Sequence, residues 1–514
     1  MASSSYYYSS VSSLLLILLA SASCCYGFGT FGYNIHHRYS DPVKGILAVD
    51  DLPEKGSYAY YSALAHRDRF FRGRGLATTN DQIPLTFNYG NDTYRLNALG
   101  FLHYANVSVG TPELSFLVAL DTGSDLFWLP CDCSSCVHGL NSTNGQVIEF
   151  NIYSPNTSST SSRVPCNSSL CELQSRCSSA SSTCPYQVQY LSDATSSTGF
   201  LIEDVLHLIT DDEQTKPVDS RITFGCGKVQ TGLFLNGAAP NGLFGLGMDN
   251  TSVPSILANQ GLIPNSFSMC FGSDGSGRIS FGDKGSSGQG ETPFYLRQSH
   301  PTYNITITQI SVGAEDANIE FSAIFDSGTS FTYLNDPAYT QISETFNSLA
   351  KEKRDTSDSD LPFEYCYILS SNQTSFKYPV VNLTMKGGDP FYVNDPIVIV
   401  VSKDLYLYCL GVVKSNDVNI IGQNFMTGYN IIFDREKNIL GWKPSDCSGV
   451  ENSSTLPVHP PKSSVPPATA LNPEATAGSK SPASAPPPRS HSPKLKPFAW
   501  ALLMMVLVPF FAII

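Results

Sequence analysis

Asp121-Thr122-Gly123-Ser124 and Asp326-Ser327-Gly328-Thr329 are two short carboxylate loops in opposite halves of a 514-residue chain. Each is matched further along by two apolar residues and a glycine, Leu243-Phe244-Gly245 for the first loop and Ile420-Ile421-Gly422 for the second. A single Asp-Thr-Gly turn is a weak signal, because such turns close many hairpins and cap many helices. Two loops, each with a partner, predict a duplicated active site.

Both aspartates follow a short apolar run, FLVAL at 116–120 and AIF at 323–325. Each aspartate is therefore expected where a buried strand gives way to a turn. A glycine two residues later lets the backbone fold back and present an N–H to the carboxylate. Neighbouring hydroxyl groups can donate further hydrogen bonds that orient each carboxylate and stabilise its charge.

On these residues the chain, from about Tyr104 to Cys447, resembles the pepsin-like aspartic proteases. The cysteine-dense stretch described below is similar to that of their nepenthesin-type plant branch. The resemblance implies an all-β, bilobal fold with an active-site cleft between the two lobes. It also implies an aspartic endopeptidase that binds extended polypeptides and works without a cofactor.

The resemblance makes Asp121 and Asp326 the catalytic pair. Held close together, the two carboxylates cannot both carry charge cheaply, so one is ionised while the other stays protonated. The ionised member would activate a water that attacks the peptide carbonyl. The resemblance implies carboxylate-orienting and loop-bracing roles for the other loop residues, Thr122, Gly123, Ser124, Ser327, Gly328 and Thr329.

A flap over the cleft is expected around Tyr190. Trp128, seven residues past Asp121, matches the family tryptophan that supports the flap tyrosine, and Tyr190 is the residue that matches that tyrosine. The sequence departs from the family at the flap tip, where residues 191–195 (LSDAT) replace a glycine-rich stretch and are one residue longer.

Cysteine usage favours disulfides. Of fourteen cysteines, seven lie between Trp128 and Tyr190, and we interpret them as a stapled insertion in a secretory chain. They are Cys131, Cys133, Cys136, Cys166, Cys171, Cys177 and Cys184. Zinc binding by the first three with His138 is the alternative, and we expect no metal. The resemblance implies a disulfide between Cys366 and Cys409, and the other pairings stay open.

Composition shifts, together with the pro-segment and the two lobes that the resemblance implies, predict six regions. They are a signal peptide (1–27), a pro-segment (28–100), an N-terminal lobe with the cysteine-rich insert (101–285), a C-terminal lobe (286–448), a Pro/Ser-rich stalk (449–484) and a GPI-attachment signal (485–514). A basic stretch at 66–74 in the pro-segment could cover the acidic cleft, and a solvated arm is the alternative. A hinge is expected at 282–292 and a helix at 336–353.

The charge-free tail at 498–514 is short for a bilayer span, so a lipid anchor is preferred to a transmembrane helix. With ten N-x-Ser/Thr sequons, this predicts a glycoprotein on the extracellular face of the plasma membrane or in the cell wall. We expect a monomer. The net charge of −13 argues against nucleic acid as a partner and suits work in acid.

Two other functions fit the same pattern. Some plant relatives on this fold lose the catalytic pair and inhibit other enzymes, so a catalytically silent binding or inhibitor protein is the main alternative. A stalked adhesive component of the wall is the other, and it would depend on neither aspartate.

Overall fold

The structure is a computed structural model, and it describes most of residues 30–447. The described residues are 30–40, 43, 54–72, 88–89, 92–93, 101–141, 147–190, 195–211, 216–296, 301–356, 361–370, 373, 375–402, 405–416, 418–447 and 468–471. The predicted signal peptide and GPI signal lie outside this part of the chain, as does most of the predicted stalk. Among the helices of the described residues, none has the length and apolar character to cross a lipid bilayer.

The described residues form mostly β-structure. The first strands are β1 (Phe31–His37), β2 (Asn88–Tyr89), β3 (Asp92–Thr93), β4 (His103–Val109), β5 (Leu114–Asp121), β6 (Trp128–Ser135), β7 (Gly139–Asn141), β8 (Val147–Glu149), β9 (Ser162–Arg163), β10 (Pro185–Gln189), β11 (Ser196–Ile209), β12 (Pro217–Gln230), β13 (Leu243–Gly245), β14 (Ser266–Phe271), β15 (Ser276–Phe281) and β16 (Gly290–Pro293). The remaining strands are β17 (Asn304–Val312), β18 (Glu315–Ala317), β19 (Phe321–Phe325), β20 (Thr332–Leu334), β21 (Arg354–Asp355), β22 (Cys366–Leu369), β23 (Phe376–Pro379), β24 (Val381–Met385), β25 (Pro390–Val393), β26 (Ile397–Ser402), β27 (Leu405–Leu410), β28 (Val412–Lys414), β29 (Ile420–Ile421), β30 (Tyr429–Asp434), β31 (Ile439–Pro444) and β32 (Ala468–Leu471). The helices are α1 (Tyr58–Arg72), α2 (Val253–Asn259), α3 (Ala338–Leu349) and α4 (Gln423–Met426), with 3₁₀ turns at Gln174–Arg176 and Gly232–Asn236.

The largest sheet contains the N-terminal lobe and the closing strands of the chain. Its order is β10-β11-β12-β6-β13-β5-β4-β1-β15-β14-β30-β31-β16, with β9 paired to β11. Strand β5 reads LSFLVALD and is buried continuously from Phe116 onwards, as expected for a strand covered on both faces. Phe267 of β14 stacks on Phe433 of β30 with ring centroids 4.7 Å apart, so this sheet joins the two ends of the folded region.

The C-terminal lobe has its own sheet, in the order β25-β24-β17-β19-β29-β20-β28, with β18 on β17. Helix α3 lies inside the predicted range 336–353 and buries Tyr339, Ile342 and Phe346, the 3–4 residue spacing of one helix face. Between the lobes, the predicted hinge contains β16, which pairs with β31. The described residues therefore adopt an all-β, bilobal fold with few helices.

Residues from the predicted pro-segment are built into this fold. Strand β1 pairs with β15 and with β4, so it lies inside the large sheet. Helix α1 begins after Ser57, whose hydroxyl accepts a hydrogen bond from the Tyr60 N–H, and it buries Ala63, Leu64 and Ala65. In the basic stretch 66–74 the described side chains are Arg67 and Asp68, and both are buried, so the alternative of a solvated arm is wrong for these two residues.

Six of the seven cysteines in the predicted insertion form disulfides with one another. Across the described residues the pairs are Cys131–Cys226, Cys133–Cys136, Cys166–Cys177, Cys171–Cys184, Cys270–Cys447 and Cys366–Cys409. The last is the pair that the resemblance implied. Cys270–Cys447 closes the longest loop and fastens the end of the folded region to β14.

Two histidines are buried where β1 meets β4. His37 and His103 are paired in register, and their rings lie 5.5 Å apart between centroids. Burial and the nearby Arg67 and His36 lower the pKa of His103 to about 3. Burial, His103 and the cations Arg38, Lys55 and Arg67 hold the pKa of His37 well below its usual range. Both imidazoles are therefore neutral in the folded protein at neutral pH.

We predict that these histidines make the fold sensitive to acid. An unfolded histidine titrates near 6.5, so between about pH 6.5 and 3 the unfolded chain binds more protons at His103 than the folded chain. The free energy of unfolding should then fall on acidification by up to about 1.4 kcal/mol per pH unit for His103. His103→Phe should flatten this slope, measured as urea midpoints at pH 7 and pH 5.

His207 is the matched control, because its pKa is raised. Burial acts against that rise, but the Gly110 carbonyl and Asp219 outweigh burial. Its stabilisation is present below pH 6.5 and is lost as the pH rises, so His207→Asn should change the slope in the opposite sense. Parallel pH dependences for the parent and His103→Phe would contradict the prediction.

Candidate active site

The first carboxylate loop is held at the end of a buried strand. Asp121 is the last residue of β5 and lies opposite Gly245 in the parallel pairing of β5 with β13. Its Oδ1 accepts a hydrogen bond from the Gly123 N–H at 2.9 Å, and its Oδ2 accepts one from the Ser124 hydroxyl at 2.6 Å. The turn thus fixes both oxygens of one carboxylate.

The second loop repeats this arrangement. Asp326 directly follows β19, which pairs in parallel with β29. Its Oδ1 accepts from the Gly328 N–H at 2.8 Å, and its Oδ2 accepts from the Thr329 hydroxyl at 2.5 Å. The two aspartates therefore have the same set of donors on the same atoms, as the duplicated sequence pattern requires.

The two loops meet. The hydroxyls of Thr122 and Ser327, both buried, lie 3.3 Å apart. A Cβ placed on Gly328 would lie 3.0 Å from Oδ1 of Asp326 and 3.6 Å from Oδ1 of Asp121, so both inner oxygens face one point. The structure brings the predicted loop residues together, and a single small molecule can contact both carboxylates there.

The glycines of the two later elements are places where the backbone passes very close to a loop. A Cβ on Gly245 would lie 2.1 Å from the Asp125 carbonyl oxygen, and a Cβ on Gly422 would lie 2.2 Å from the Phe331 carbonyl oxygen. Only hydrogen fits at these distances. The glycines therefore allow each strand pair to press against the loop that carries its aspartate.

The environment of the pair favours a shared proton. Burial, and next the charge of Asp326, raise the pKa of Asp121 to about 6, while the Ser124 hydroxyl, the Gly123 N–H and Arg67 act in the opposite direction. Asp121 is buried and Asp326 is half-buried. Below about pH 6 Asp121 can therefore hold a proton next to the second carboxylate, which is the arrangement that acid–base chemistry needs.

Tyr190 lies close to Asp121 and Ser124, and Trp128 supports it as the resemblance implied. The Trp128 indole N–H donates to its hydroxyl at 2.9 Å. Phe234, in the 3₁₀ turn Gly232–Asn236, packs edge-on against both rings, with centroids 4.9 Å from Trp128 and 5.0 Å from Tyr190. Sequence reasoning missed Phe234, and no local pattern marks it. Residues 191–194 of the expected flap tip lie outside the described residues.

Sequence reasoning also missed two residues of α1 that reach this site. The Arg67 guanidinium donates to the Gly328 carbonyl oxygen at 2.7 Å and to Asp68 at 2.8 Å. Asp68 in turn accepts hydrogen bonds from residues just past the second loop. Only the basic character of residues 66–74 hinted at this contact.

The cysteine and histidine groups do not offer zinc ligands in this structure. Cys133 and Cys136 are joined in a disulfide, so they lack the thiolates that zinc requires, although His138 Nε2 is 3.6 Å from the Cys136 sulfur. The other cysteine cluster of the described residues is likewise taken up by the Cys166–Cys177 and Cys171–Cys184 bonds.

A bilobal β-fold in which two Asp-Ser/Thr-Gly loops meet at one point defines the pepsin-like aspartic protease fold. Comparisons with known protein families and relatives agree with this fold assignment. Family models named xylanase inhibitor N-terminal and xylanase inhibitor C-terminal match residues 103–283 and 302–444. The chain is 62% identical over 455 residues to Aspartyl protease family protein 1 of Arabidopsis thaliana, which covers 88% of each chain. This protein therefore belongs to the plant pepsin-like aspartic protease family.

The chain also matches more distant proteins. The chain is 27% identical over 362 residues to aspartic proteinase nepenthesin-2 of Nepenthes gracilis, covering 66% of this chain and 77% of the relative. Among solved structures, basic 7S globulin from soybean matches with a TM-score of 0.54 and 20% identity, over 70% of this chain and 97% of the globulin. At that identity the match shows the fold alone.

We predict that the two close-approach glycines tolerate no side chain. Gly245→Ala and Gly422→Ala should each lower the free energy of unfolding by more than about 3 kcal/mol, because a backbone carbonyl must move to admit the methyl group. Gly261→Ala is the control: its Cβ meets nothing within 4 Å, and its positive φ of 72° costs only about 1 kcal/mol. Urea unfolding of the three variants measures this, and equal losses at all three sites would contradict it.

Proposed function

We propose that this chain is an aspartic endopeptidase that hydrolyses peptide bonds in acid. The observation that carries the proposal is the matched pair of hydrogen-bond sets on Asp121 and Asp326, together with the inner oxygens that face one point beside Gly328. The names of the relatives, which include aspartyl protease family protein 1 and nepenthesin-2, support the same class of activity.

In the proposed mechanism the ionised aspartate accepts a proton from a water, which attacks the peptide carbonyl carbon. The protonated aspartate donates a hydrogen bond to the developing oxyanion. The proton taken from the water is then delivered to the leaving nitrogen, and the C–N bond breaks. Ser124 and Thr329 hold the outer oxygens, so each inner oxygen is left to face the reacting atoms.

The substrate is proposed to be an extended polypeptide that lies between the lobes under Tyr190. An extended chain can form strand-like backbone hydrogen bonds along a cleft, and its alternate side chains enter pockets. We propose bulky apolar side chains beside the cleaved bond, with Trp128 and Phe234 supporting Tyr190 from behind.

The N-terminal segment is proposed to keep the enzyme latent. Arg67 is buried and donates to the carbonyl of Gly328, the residue beside which the two carboxylates face each other. A helix in that place occupies the space that a substrate backbone needs. Removal of residues up to about 100 would then open the cleft.

A catalytically silent inhibitor is the second candidate. The xylanase-inhibitor names of the matching family models and the globulin structures on this fold favour it. The intact donor sets on both aspartates favour the enzyme, since a binding protein has no need of two carboxylates that share a proton.

We also propose that the protein is a glycosylated monomer that passes through the secretory route and is held at the outer face of the plasma membrane by a GPI anchor. This rests on the sequence at residues 1–27 and 485–514 and on the sequons. Six disulfides in the described part of the chain suit an oxidising compartment.

We predict that the secreted protein cleaves a denatured protein substrate in acid and is inhibited by pepstatin. Asp121→Asn and Asp326→Asn should each reduce cleavage by at least about 10³-fold. Activity should fall as the pH rises through about 6, because Asp121 then loses the shared proton. The pH dependence of kcat/KM on a quenched peptide measures both effects.

The matched control is Asp316→Asn, which changes an exposed carboxylate on β18 and should leave cleavage unchanged. If the parent protein cleaves nothing between pH 3 and 6 and still binds a partner after Asp121→Asn, the inhibitor function is correct instead. If the protein cleaves nothing and its binding is unchanged by both Asp121→Asn and Asp326→Asn, the adhesive component is favoured.

For the anchor, we predict that phosphatidylinositol-specific phospholipase C releases the protein from intact cells. The lipase cuts a GPI anchor but not a transmembrane helix. A version ending at residue 448 should appear in the medium without lipase and serves as the control. Retention of the full chain on lipase-treated cells would favour a transmembrane tail.

A further inference from the structure

The Asp68 side chain of α1 is held in a pocket of hydrogen-bond donors from the C-terminal lobe. Its carboxylate accepts hydrogen bonds from the Ser330 N–H at 3.0 Å, the Ser330 hydroxyl at 2.8 Å, the Phe331 N–H at 3.2 Å and the Tyr333 hydroxyl at 3.2 Å. Asp68 is only 1% exposed. Its partner within α1 is Arg67.

The pocket belongs to the body of the protein and not to α1. The Ser330 and Thr329 carbonyls accept hydrogen bonds from the backbone N–H groups of Asn424 and Gln423, and the strand that follows, β20, pairs with β28 and β29. Two of the four donors are backbone N–H groups fixed by this packing.

These four donors suit a carboxylate. N–H groups cannot accept, and the two hydroxyls can each turn a proton towards an oxygen, so a negatively charged oxygen pair is matched better than an amide, whose NH₂ would face donors. Burial raises the pKa of Asp68, while Arg67, the Ser330 hydroxyl and both N–H groups act to lower it. A ligand carboxylate in an opened, wetter cleft keeps the donors and loses most of the burial.

We infer that this pocket, defined by Ser330, Phe331 and Tyr333, is a binding site for an acidic side chain of the polypeptide substrate once α1 has withdrawn. The inference rests on the proposed protease function. Ser330 is four residues past Asp326, so the pocket lies within about 14 Å of the catalytic pair. An extended substrate covers that distance in about four residues, so the preferred Asp or Glu lies within four positions of the cleaved bond.

The main test compares peptides that differ only by Asp or Asn at each position within four residues of the cut, cleaved by the full chain after conversion in acid. One position should favour Asp by roughly tenfold in kcat/KM, and the preference should grow between pH 3 and 5.5 as that side chain ionises. Tyr333→Phe and Ser330→Ala should each reduce the Asp-to-Asn ratio of kcat/KM at that position several-fold.

Tyr339→Phe is the matched control, because it removes a tyrosine hydroxyl of the same lobe that donates to Glu364. It should leave the Asp preference intact. The inference is overturned if no position favours Asp, or if Tyr333→Phe and Tyr339→Phe have equal effects.

A second measurement needs no catalysis and so separates this inference from the proposed function. In the full chain with Asp121→Asn, hydrogen exchange reports how tightly α1 is docked. Asp68→Asn and Tyr333→Phe should each raise exchange in α1 by roughly tenfold, and the double variant should be no worse than Asp68→Asn alone. Asp68→Asn and Tyr339→Phe should be additive. If the effects of Asp68→Asn and Tyr333→Phe on exchange are additive as well, the pocket is refuted. This holds even if the protein proves to be an active protease.

Discussion

The placement of two carboxylates at one point is the constraint on which the rest of this structure depends. Two buried negative charges repel, and neither oxygen pair would stay in place without donors. Each aspartate therefore lies where a strand ends, and it receives an N–H and a hydroxyl from its own turn. A glycine at the end of a second strand packs closely against the backbone of the same loop region. The parallel pairings β5–β13 and β19–β29 bring these parts together.

The local sequence predicts the hydrogen bonds within each carboxylate loop. It does not predict which distant residues pack over the two carboxylates. An aspartate, its glycine and its hydroxyl residue lie within four positions, so their hydrogen bonds can be inferred from spacing, whereas the all-β, bilobal class was implied by the family resemblance. The contact of Asp68 with Ser330 joins residues 262 apart, and Cys131 joins Cys226 across 95 residues. No local pattern encodes such pairs, because they depend on how distant strands pack.

The N-terminal segment combines two groups whose responses to acid have opposite signs. Burial raises the pKa of Asp68, so protonating it in place is easier than in the unfolded chain, and acid does not loosen the segment through this residue. His37 and His103 are buried as neutral rings among Arg38, Lys55 and Arg67, so acid adds charge where positive charge already lies. Of these groups, the histidines of β1 and β4 are therefore the ones through which acid weakens the packing of the segment.

The fold is compatible with both an enzyme and a binding protein. The energetic cost of keeping the buried Asp121 ionised beside Asp326 helps to choose between them. Raising the pKa of Asp121 from its ordinary value to about 6 corresponds to a cost on the order of 3 kcal/mol for keeping it ionised at neutral pH. Substitution of Asp121 by an uncharged residue would remove that cost, and substitution of Asp326 would remove the part that comes from its charge. A protein selected only for binding has no reason to retain it, whereas a protease that works in acid needs the shared proton that the raised pKa provides. The retention of both carboxylates, with both complete donor sets, is therefore an argument for chemistry.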